Sequence, residues 1–500
     1  MQMSVPKAGG LSLRQLLPAA RFVGAEDIRV TSCAADSRAC ERGDLFAALP
    51  GSESDGIDFV HHAMARGAKG LLVEEPVDDV PLPMCLVPDV REAYGLVCHA
   101  LADNPSHKVR VVGITGTNGK TTTSYLVAGV LEAAGLHAGV VGTLGIYDGA
   151  DVRPSRLTTP GAAELAHSLA TMRANGCSHA VLEVSSHALA QRRVAGIEFD
   201  VAAFTNIRHD HLDYHKSFEN YSQSKARLME MVRPEGMLVF NTDDAQCAEL
   251  AGNFFGPALT VGMQSPAEIT AMPAERFLSE QTFLLSTGDT SVPVRTSLVG
   301  NHNISNCLVA AAVGLAYQLD LATIVRGIES VATVPGRLER IECGQGFGVF
   351  VDYAHTADAL AQVLDTLRPL VRGRLICVFG AGGDRDRFKR PHMGRVVQER
   401  ADVAVITSDN PRFESPRQIA NEILAGMRHR SEARVELDRG TAICWALKQA
   451  RDGDCVLIAG KGHEDYQVIE DERYFFDDRE IAQQWLYDHE PMSAAARRAA

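Results

Sequence analysis

Short apolar runs recur along the 500-residue chain, and segments long enough to form helices separate most of them. In the N-terminal part, the runs at 70–73 and 84–87 lie among helix-like pieces. This pattern predicts a small α/β module. The turn cluster Asp-Asn-Pro-Ser at 103–106 predicts a domain boundary close to it.

The middle of the chain predicts a parallel sheet with crossover helices. Its candidate buried strands are 109–114, 180–184, 201–204 and 236–240. A Gly-rich loop at 115–120 and a predicted helix at 121–134 follow the first of them. The most apolar stretch, 306–325, contains Asn306, Gln318 and Asp320. We therefore expect a buried amphipathic helix there rather than a membrane span.

The last third predicts a separate doubly wound domain. Its candidate buried strands are 348–351, 375–379, 403–407 and 455–458. Val-Pro-Gly-Arg at 334–337 predicts the second boundary. The predicted fold class is therefore α/β, with three domains at 1–107, 108–337 and 338–500. The Ala/Arg-rich tail at 493–500 is expected to be a frayed end.

Composition narrows the class of protein. The chain is 46% hydrophobic and 22% charged, which is typical of a globular protein. Its 49 basic and 63 acidic residues give a net charge of −14, which argues against a general nucleic-acid or anionic-membrane binder. The 11 cysteines form no Cys-x-x-Cys pair, so we expect neither a disulfide framework nor a zinc ribbon. No secretory signal is apparent in the first ten residues, and we expect a cytoplasmic protein.

The strongest local motif is the loop at 115–120, here called the phosphate loop, which continues into Thr121 and Thr122. It follows a β-branched strand and opens a helix, so backbone N–H groups and the helix dipole can face phosphate oxygens. Lys120 can reach the β- and γ-phosphates, and Thr121 can place its hydroxyl on Mg²⁺. Ile114 occupies the position of the first glycine in the usual Gly-x-x-x-x-Gly-Lys-Thr motif. We predict an ATP or GTP site, with an ordinary Gly-rich turn as the alternative.

A second cluster combines carboxylates and imidazoles. Glu183 ends one predicted strand, and residues 209–215, which follow another, contain three His and two Asp. The carboxyl ends of parallel strands share one edge of a sheet, so these side chains are expected near the phosphate loop. They could hold Mg²⁺. Zinc held by His209, His211 and His215 is an alternative, although no nearby Cys supports it.

The chain resembles the Mur ligase family, whose members are ATP-dependent amide-forming enzymes of peptidoglycan precursor synthesis. The resemblance extends from about residue 36 to 464. The motifs that carry it occur in order at 116–122, 183–187, 205–206, 210–215, 300–306, 335–339 and 351–355.

This resemblance implies an N-terminal UDP-sugar-binding domain, a central ATP-binding domain and a C-terminal Rossmann-like amino-acid-binding domain. It implies that a substrate carboxylate attacks the γ-phosphate of ATP, and that an amine then attacks the acyl-phosphate. ATP is the co-substrate, and two Mg²⁺ sites are expected. The implied partners are small molecules, with no nucleic acid and no membrane, and we expect a monomer.

The resemblance also assigns residues. Lys120, Glu183, His211 and Lys225 are the implied catalytic residues. Thr121 and Glu183 would serve the first Mg²⁺, and His211 and Lys225 the second, with Lys225 carbamylated. Without the family, Lys225 would be interpreted as a solvated helix lysine. The implied ATP contacts are Gly116, Thr117, Asn118, Gly119, Lys120, Thr121, Thr122, Asn303, Asn306, Arg337, Asp352, Tyr353 and His355.

Within this family, Asp-Asn-Pro-Arg at 409–412 resembles the motif of members that add meso-diaminopimelate to UDP-N-acetylmuramoyl-L-alanyl-D-glutamate. A guanidinium can grip the far carboxylate of diaminopimelate in two places, and lysine lacks that carboxylate. The implied amino-acid contacts are Arg385, Asp409, Asn410, Pro411, Arg412, Gly460 and Glu464. The implied contacts of the UDP-muramoyl dipeptide are Ser37, Thr158, Thr159, Ser185, Gln191 and Arg193.

Three alternatives remain at this point. One keeps the mechanism but uses L-lysine or a folylpolyglutamate-like substrate. Another is a P-loop ATPase that couples hydrolysis to motion, which would give the amino-acid set no role. The third is a non-enzymatic nucleotide-binding scaffold, which would not need the metal and acid groups.

Overall fold

The computed structural model describes residues 9–51 and 54–489. The described chain forms two compact units. The first contains residues up to 270, together with 286–290 and 305–328, and the second contains 271–285, 291–304 and residues from 329 onwards. The expected frayed tail at 493–500 lies outside the described residues, as do most of the first ten residues.

The N-terminal part of the first unit is a small α/β module, as predicted. Its elements are β1 (Leu11–Ser12), α1 (Leu13–Leu16), β2 (Arg21–Val23), β3 (Arg29–Val30), β4 (Cys33–Ala34), β5 (Leu45–Ala47), α2 (Val60–Ala65), β6 (Gly70–Val73), β7 (Met84–Leu86) and α3 (Val90–Leu101). The sheet order is β2-β7-β6-β5-β4, and only β2 is antiparallel. The apolar runs predicted at 70–73 and 84–87 form β6 and β7.

The middle of the chain contains the strands and helices of the predicted parallel sheet. They are β8 (Arg110–Thr115), α4 (Lys120–Ala133), β9 (Ala138–Gly142), β10 (Gly145–Tyr147), β11 (Val152–Arg153), α5 (Ala162–Ala174), β12 (His179–Glu183), α6 (Ser186–Ala190), β13 (Phe199–Phe204), α7 (Leu212–His215), α8 (Phe218–Ala226), β14 (Val232–Asn241), α9 (Ala245–Gly252), β15 (Ala258–Gly262), β16 (Ile269–Arg276), β17 (Gln281–Thr287), β18 (Thr290–Thr296), α10 (Asn301–Ala316) and α11 (Leu321–Ser330). Strands β9-β12-β8-β13-β14-β15 are adjacent and parallel in that order.

The register of this sheet places the predicted chemistry at one edge. Glu183, the last residue of β12, pairs with Ile114 of β8. Phe204, the last residue of β13, pairs with Thr115. The phosphate loop and the segments that follow Glu183 and Phe204 therefore leave the sheet side by side. The sequence predicted this edge because the apolar runs end where the polar motifs begin.

The prediction of one helix across 306–325 is wrong. Helix α10 ends at Ala316, and α11 begins at Leu321. Between them Gln318 has a φ of 59°, which an α-helix cannot contain. The Asp320 side chain then accepts a hydrogen bond from the Thr323 N–H, which favours a new helix start. Within the described residues, no helix has both the length and the apolar character needed to cross a membrane.

The C-terminal part forms the predicted doubly wound sheet. Its elements are β19 (Glu339–Arg340), β20 (Gly348–Asp352), α12 (Ala357–Leu367), β21 (Leu375–Phe379), α13 (Lys389–Arg400), β22 (Val403–Ile406), α14 (Pro416–Leu424), β23 (Arg434–Val435), α15 (Arg439–Gln449), β24 (Cys455–Ala459), β25 (Tyr466–Ile469), β26 (Glu472–Phe475) and α16 (Asp478–His489). The order is β19-β20-β24-β21-β22-β23, parallel from β20 to β23.

Helices cover both faces of this second sheet. The core on one face includes residues of α12, α13 and α14, and the core on the other includes residues of α15 and α16. Strands buried on both faces read as continuous apolar runs, which is why the sequence predicted them. The antiparallel strands β10, β11, β25 and β26 were not predicted, because each has only two to four residues and gives no clear apolar run. All eleven cysteines are free thiols.

Candidate active site

Two glycines shape the phosphate loop. A Cβ at Gly116 would collide with Oγ1 of Thr205. Gly119 has a φ of 87°, and a Cβ there would lie 2.5 Å from Oδ1 of Asn306. Helix α4 begins at Lys120, so its first N–H groups follow the loop directly. This arrangement can bind an anion such as a phosphate.

Two lysines converge on this loop. Nζ of Lys120 and Nζ of Lys225 each donate a hydrogen bond of 2.8 Å to the carbonyl oxygen of Gly116. Lys225 is buried, so its interpretation as a solvated lysine is wrong. Burial, together with the charge of Lys120, holds the pKa of Lys225 well below its usual range. The ring of Tyr221 lies 4.7 Å from Nζ of Lys225, and its hydroxyl is 2.8 Å from Oγ1 of Thr117.

The Glu183 carboxylate is held from two sides. Oγ1 of Thr121 donates to Oε2 of Glu183 over 2.9 Å. The N–H of Thr143 donates to Oε1 over 2.9 Å, and its hydroxyl donates to Oε2 over 3.1 Å. Thr143 Oγ1 also lies 3.1 Å from Oγ1 of Thr158. Adjacent hydroxyl and carboxylate oxygens suit Mg²⁺, so Thr121 and Glu183 fit the metal that the sequence implied.

Thr143 was missed by the sequence analysis. It directly follows β9, which pairs with β12 in the parallel sheet. A polar residue at the end of a further buried strand, at the same sheet edge, was the available signal.

The residues expected to bind the muramoyl peptide form one hydrogen-bonded cluster. Oγ1 of Thr159 accepts from the Ser185 N–H over 2.9 Å and donates to the carbonyl of Glu183 over 2.7 Å. Nη1 of Arg193 donates to the Thr159 carbonyl over 2.9 Å. Nη2 of Arg193 donates to Oε1 of Gln191 over 2.7 Å. The cluster therefore joins a cationic side chain to the strand end that carries Glu183.

Ser37 lies in the N-terminal module, in the loop that follows β4. Its buried hydroxyl is 2.9 Å from Nδ1 of His62. The hydrogen bonds described for Ser37 join it to His62 and to Cys40, and not to the Thr159 cluster. Its assignment to the uracil end of the substrate stays a prediction.

Histidines gather beside the phosphate loop. The ring centroid of His187 is 4.8 Å from that of His211 and 5.5 Å from that of His215. Burial, with the neighbouring His211 and His215, lowers the pKa of His187 to about 4. His211 has a φ of 52°, a strained conformation typical of functional positions. Within residues 9–51 and 54–489, no three His, Cys, Asp or Glu side chains are grouped so that they could hold a metal ion together.

Asn303 and Asn306 of α10 are both buried. In the first unit, Oδ1 of Asn306 accepts a hydrogen bond of 3.2 Å from Oγ1 of Thr123 on α4. In the second unit, Nδ2 of Asn303 donates to the Val299 carbonyl over 2.9 Å. The hydrogen bond from Thr123 connects Asn306 to the helix that follows the phosphate loop.

Four predicted ATP contacts cluster in the second unit. The Arg337 guanidinium carbon lies 4.7 Å from the ring centroid of Tyr353. The ring centroid of His355 is also 4.7 Å from that of Tyr353. Oδ2 of Asp352 accepts from the Leu338 N–H over 2.7 Å. Burial raises the pKa of Asp352, and the charge of Arg337 opposes that rise.

The predicted amino-acid contacts lie on loops that follow β21, β22 and β24. Nδ2 of Asn410 donates to Oε2 of Glu464 over 2.9 Å, and Oδ1 of Asn410 accepts from the Val468 N–H over 2.9 Å. A Cβ at Gly460 would lie 2.7 Å from Oδ2 of Asp409. The structure therefore brings together Asp409, Asn410, Gly460 and Glu464, as the family resemblance implied. These residues are here called the Asn410 cluster.

Lys461 also contacts this cluster and was missed. Its side chain is completely buried, and Nζ lies 3.2 Å from Oδ1 of Asn410, 3.5 Å from Oε2 of Glu464 and 3.9 Å from Oδ1 of Asp409. Its position between Gly460 and Gly462 was the available signal, because glycines on both sides allow a sharp change of backbone direction.

Arg412 completes the cluster. It follows the buried Pro411 and has a φ of 50°, and its N–H donates to the Val468 carbonyl over 3.1 Å. Nη1 of Arg412 donates to the Gly383 carbonyl over 2.6 Å. A Cβ at Gly382 would lie 3.2 Å from Nη1 of Arg412 and 3.7 Å from Cγ of Arg385. The two predicted arginines therefore both lie next to Gly382, near the same point.

Comparison with protein families gives matches over most of the chain. A family described as "Mur ligase family, catalytic domain" matches residues 29–97. The "Mur ligase middle domain" matches 114–314, and the "Mur ligase, glutamate ligase domain" matches 336–462. The matched segments include the phosphate loop, Glu183 and Asn410.

Individual proteins agree with these matches. A UDP-N-acetylmuramoyl-L-alanyl-D-glutamate–2,6-diaminopimelate ligase of Gloeobacter violaceus is 44% identical over 465 residues, covering 92% of this chain and 94% of the relative. A solved structure of a ligase with that name has a TM-score of 0.69 at 32% identity, covering 96% of this chain and 99% of the other. The MurF ligase of Thermotoga maritima, solved in complex with ADP, shares the fold with a TM-score of 0.59 at 18% identity, over 91% of this chain and 96% of the other.

Proposed function

Because this chain belongs to the Mur ligase family and is a ligase, we propose that it joins meso-2,6-diaminopimelate to UDP-N-acetylmuramoyl-L-alanyl-D-glutamate. The reaction converts ATP to ADP and phosphate and serves peptidoglycan precursor synthesis. Sequence identity to the Gloeobacter violaceus relative, whose name states these substrates, supports the choice.

The observation that carries the choice of amino acid is that Arg412 and Asn410 both hydrogen-bond Val468, and that Asn410 also bonds Glu464. Glu464, hydrogen-bonded by Asn410, can take an ammonium of the substrate. Arg412 and Arg385, which both lie next to Gly382, can take its far carboxylate in a bidentate contact. With L-lysine the carboxylate would be missing and the guanidinium would lose its partner, so lysine should bind more weakly.

In the first unit, the phosphate loop, with Thr122 of α4, would hold the phosphates of ATP. Thr121 and Glu183 would hold one Mg²⁺, and His211 with a carbamylated Lys225 would hold a second. A carbamate would replace a buried cation by oxygen donors, which Mg²⁺ prefers. When bound, Mg²⁺ would neutralise part of the phosphate charge.

The proposed reaction has two chemical steps, and residues of this chain would assist them. A carboxylate oxygen of the D-glutamyl residue attacks the γ-phosphorus, and the bond to the β-phosphate oxygen breaks, releasing ADP. The amine attacks the acyl carbon, phosphate leaves, and the amine loses its proton. Lys120 would stabilise charge on the transferred phosphoryl group, and Arg193, oriented by Gln191, would bind the anionic dipeptide. Ser37 would bind the uracil end.

The test is ATP-dependent phosphate release with UDP-N-acetylmuramoyl-L-alanyl-D-glutamate, comparing meso-diaminopimelate with L-lysine and weighing the product by mass spectrometry. We expect release and a tripeptide product with diaminopimelate only. Turnover with lysine would overturn the choice of amino acid. ATP hydrolysis at a rate that does not depend on either amino acid would favour an ATPase that couples hydrolysis to motion.

The proposal extends to the state of the protein. We expect a monomer in the cytoplasm that acts on small molecules, without a nucleic-acid or membrane partner. The three-domain division at 1–107, 108–337 and 338–500 also stays a prediction. Light scattering coupled to gel filtration tests the monomeric state, and limited proteolysis near the two boundaries tests the division into three domains.

A further inference from the structure

Lys461 is a charged residue beside the Asn410 cluster that has no role in the proposed reaction. Its side chain is completely buried on the loop after β24. A buried ammonium requires compensating charge and hydrogen-bond acceptors. Here the acceptors are Oδ1 of Asn410 and Oε2 of Glu464, and Asp409 supplies a further carboxylate 3.9 Å away.

The contacts of Lys461 determine which way the Asn410 amide faces. Oδ1 of Asn410 receives two donors, Nζ of Lys461 and the Val468 N–H. Neither donor can accept a hydrogen bond, so the opposite amide orientation would place Nδ2 against both of them. Nδ2 must therefore face Glu464, whose Oε2 it reaches over 2.9 Å.

The same contacts leave one carboxylate oxygen of Glu464 for a substrate. Among the described residues, Nδ2 of Asn410 and Nζ of Lys461 both approach Oε2 of Glu464. Oε1 is then the oxygen that can receive an incoming ammonium.

Lys461 also offsets part of the negative charge around the Glu464 carboxylate. Asp409 and Glu464 supply two negative charges, and Lys461 supplies one positive charge. Arg439 lies in the same surroundings, but it is paired with Asp478 over 2.6 Å. The cluster therefore carries a net negative charge of about one unit, which favours a cationic group without forcing two carboxylates to share a proton.

Glycines fix the path that turns Lys461 inward. Gly460 has a φ of 117°, and Gly462 has a φ of 54°. A Cβ at Gly462 would lie 2.8 Å from the Gly336 carbonyl oxygen and 2.8 Å from Cβ of Tyr353. Larger residues at these positions would displace the backbone that carries Lys461.

We infer that Lys461 is a positioning residue of the amino-acid site: its buried ammonium orients Asn410 and the Glu464 carboxylate to receive an ammonium of the amino-acid substrate. This inference rests on the proposed function. It does not place Lys461 in contact with the reacting atoms. Burial raises the pKa of Glu464, while Lys461 and Asn410 oppose that rise, and Asp409 adds to it. Tyr353, Tyr466 and Arg439 are the other titratable groups whose charges reach this carboxylate.

The experiment compares wild-type protein with Lys461→Met, which keeps the length of the side chain and removes its charge, and with Lys461→Gln, which keeps a donor. Lys448→Met, at an exposed position of α15 in the same unit, is the control. The KM values for meso-diaminopimelate, ATP and the UDP-dipeptide are measured from pH 6 to 8.5. Tryptophan fluorescence reports folding, since both tryptophans, Trp445 and Trp485, lie in the second unit.

We expect both Lys461 variants to raise the KM for diaminopimelate at least tenfold, with less than a twofold change for ATP and the UDP-dipeptide. The ratio of variant to wild-type KM for diaminopimelate should increase as the pH falls, because Glu464 without Lys461 takes up a proton more readily. The ionisation of the amino acid itself cancels in this ratio. Lys448→Met should match the wild type at every pH.

Three results would overturn the inference. The first is an unchanged KM for diaminopimelate in both variants, and the second is an equal loss for all three substrates. The third is loss of the folded second unit in both variants, which would make Lys461 a folding residue. If wild-type protein forms no product with diaminopimelate, the proposed function itself fails, which is a separate result.

Discussion

Lys120 and Lys225 donate hydrogen bonds of equal length, 2.8 Å, to the same carbonyl oxygen of Gly116. One lysine begins the helix after the phosphate loop, and the other lies near the end of α8. Two ammonium groups so close would repel each other, so the charge of Lys120 favours the neutral form of the buried Lys225. A neutral amine is the form that can be carbamylated, so this pair of contacts supports the carbamate proposed for Lys225.

Lys120→Ala should reduce ligation by about 100-fold or more, because charge on the transferred phosphoryl group loses a cation. Phosphate release and product mass measure the effect. Lys69→Ala, at an exposed position in the same unit, should leave both unchanged. Ligation by Lys120→Ala at the wild-type rate would refute the role of Lys120 in the reaction.

Thr143→Val should raise the Mg²⁺ concentration needed for half-maximal activity by about tenfold or more, because Glu183 loses the hydroxyl that orients Oε2. A titration of phosphate release with Mg²⁺ at saturating ATP measures this change. Thr171→Val removes a hydroxyl from α5 that bonds only the carbonyl of His167 among the described contacts, and serves as the control. Identical titrations for both variants would remove Thr143 from the site.

Arg412→Ala should raise the KM for meso-diaminopimelate far more than the KM for ATP, because the far carboxylate of the amino acid loses its bidentate partner. Initial rates with each substrate varied separately give both values. Arg417→Ala, exposed at the start of α14, is the matched control. Equal increases for both substrates would indicate that Arg412, which also bonds the Gly383 carbonyl, acts mainly on the structure of the loop.

Asp478→Ala should lower the free energy of unfolding of the second unit by about 3–5 kcal/mol, because it leaves Arg439 buried without its charge partner. Urea unfolding followed by tryptophan fluorescence reports this unit specifically. Asp365→Ala breaks an exposed ion pair with Arg400 and should cost about 1 kcal/mol or less. Equal decreases in the free energy of unfolding for the two variants would contradict the expected difference between a buried and an exposed ion pair.

Glu414→Gln tests a pH-dependent contribution to stability. Hydrogen bonds from Arg390 lower the pKa of Glu414 to about 2, below its ordinary value of 4.5. A lowered pKa stabilises the fold fully above pH 4.5, and this stabilisation is lost as the pH falls towards 2. The variant should therefore cost roughly 1.5–3 kcal/mol at pH 6 and less at pH 3.

Urea unfolding at the two pH values measures this difference. Glu432→Gln, at an exposed position of the same unit, controls for the loss of one carboxylate. A cost for Glu414→Gln that does not change between pH 6 and pH 3 would show that the Arg390 contact does not depend on the charge of Glu414.

The sequence alone determined the fold class, the parallel sheets and the place of the phosphate loop at the end of a buried strand. Strands buried on both faces must be continuously apolar, so β8, β12 and β21 were visible as runs. The phosphate loop was visible because its function requires glycines, a lysine and a threonine in fixed order. The edge shared by Glu183 and the phosphate loop followed from the parallel arrangement itself.

Only the tertiary structure decided which polar side chains reach these positions. Three contacts join residues that are distant in the chain. They connect Lys225 with Gly116, Thr143 with Glu183, and Lys461 with Asn410. The left-handed backbone at His211 and Arg412, and the break between α10 and α11 at Gln318, are likewise invisible in a local pattern. Hydrophobic periodicity records which face of an element is buried, whereas the partner of a buried charge depends on how separate elements pack.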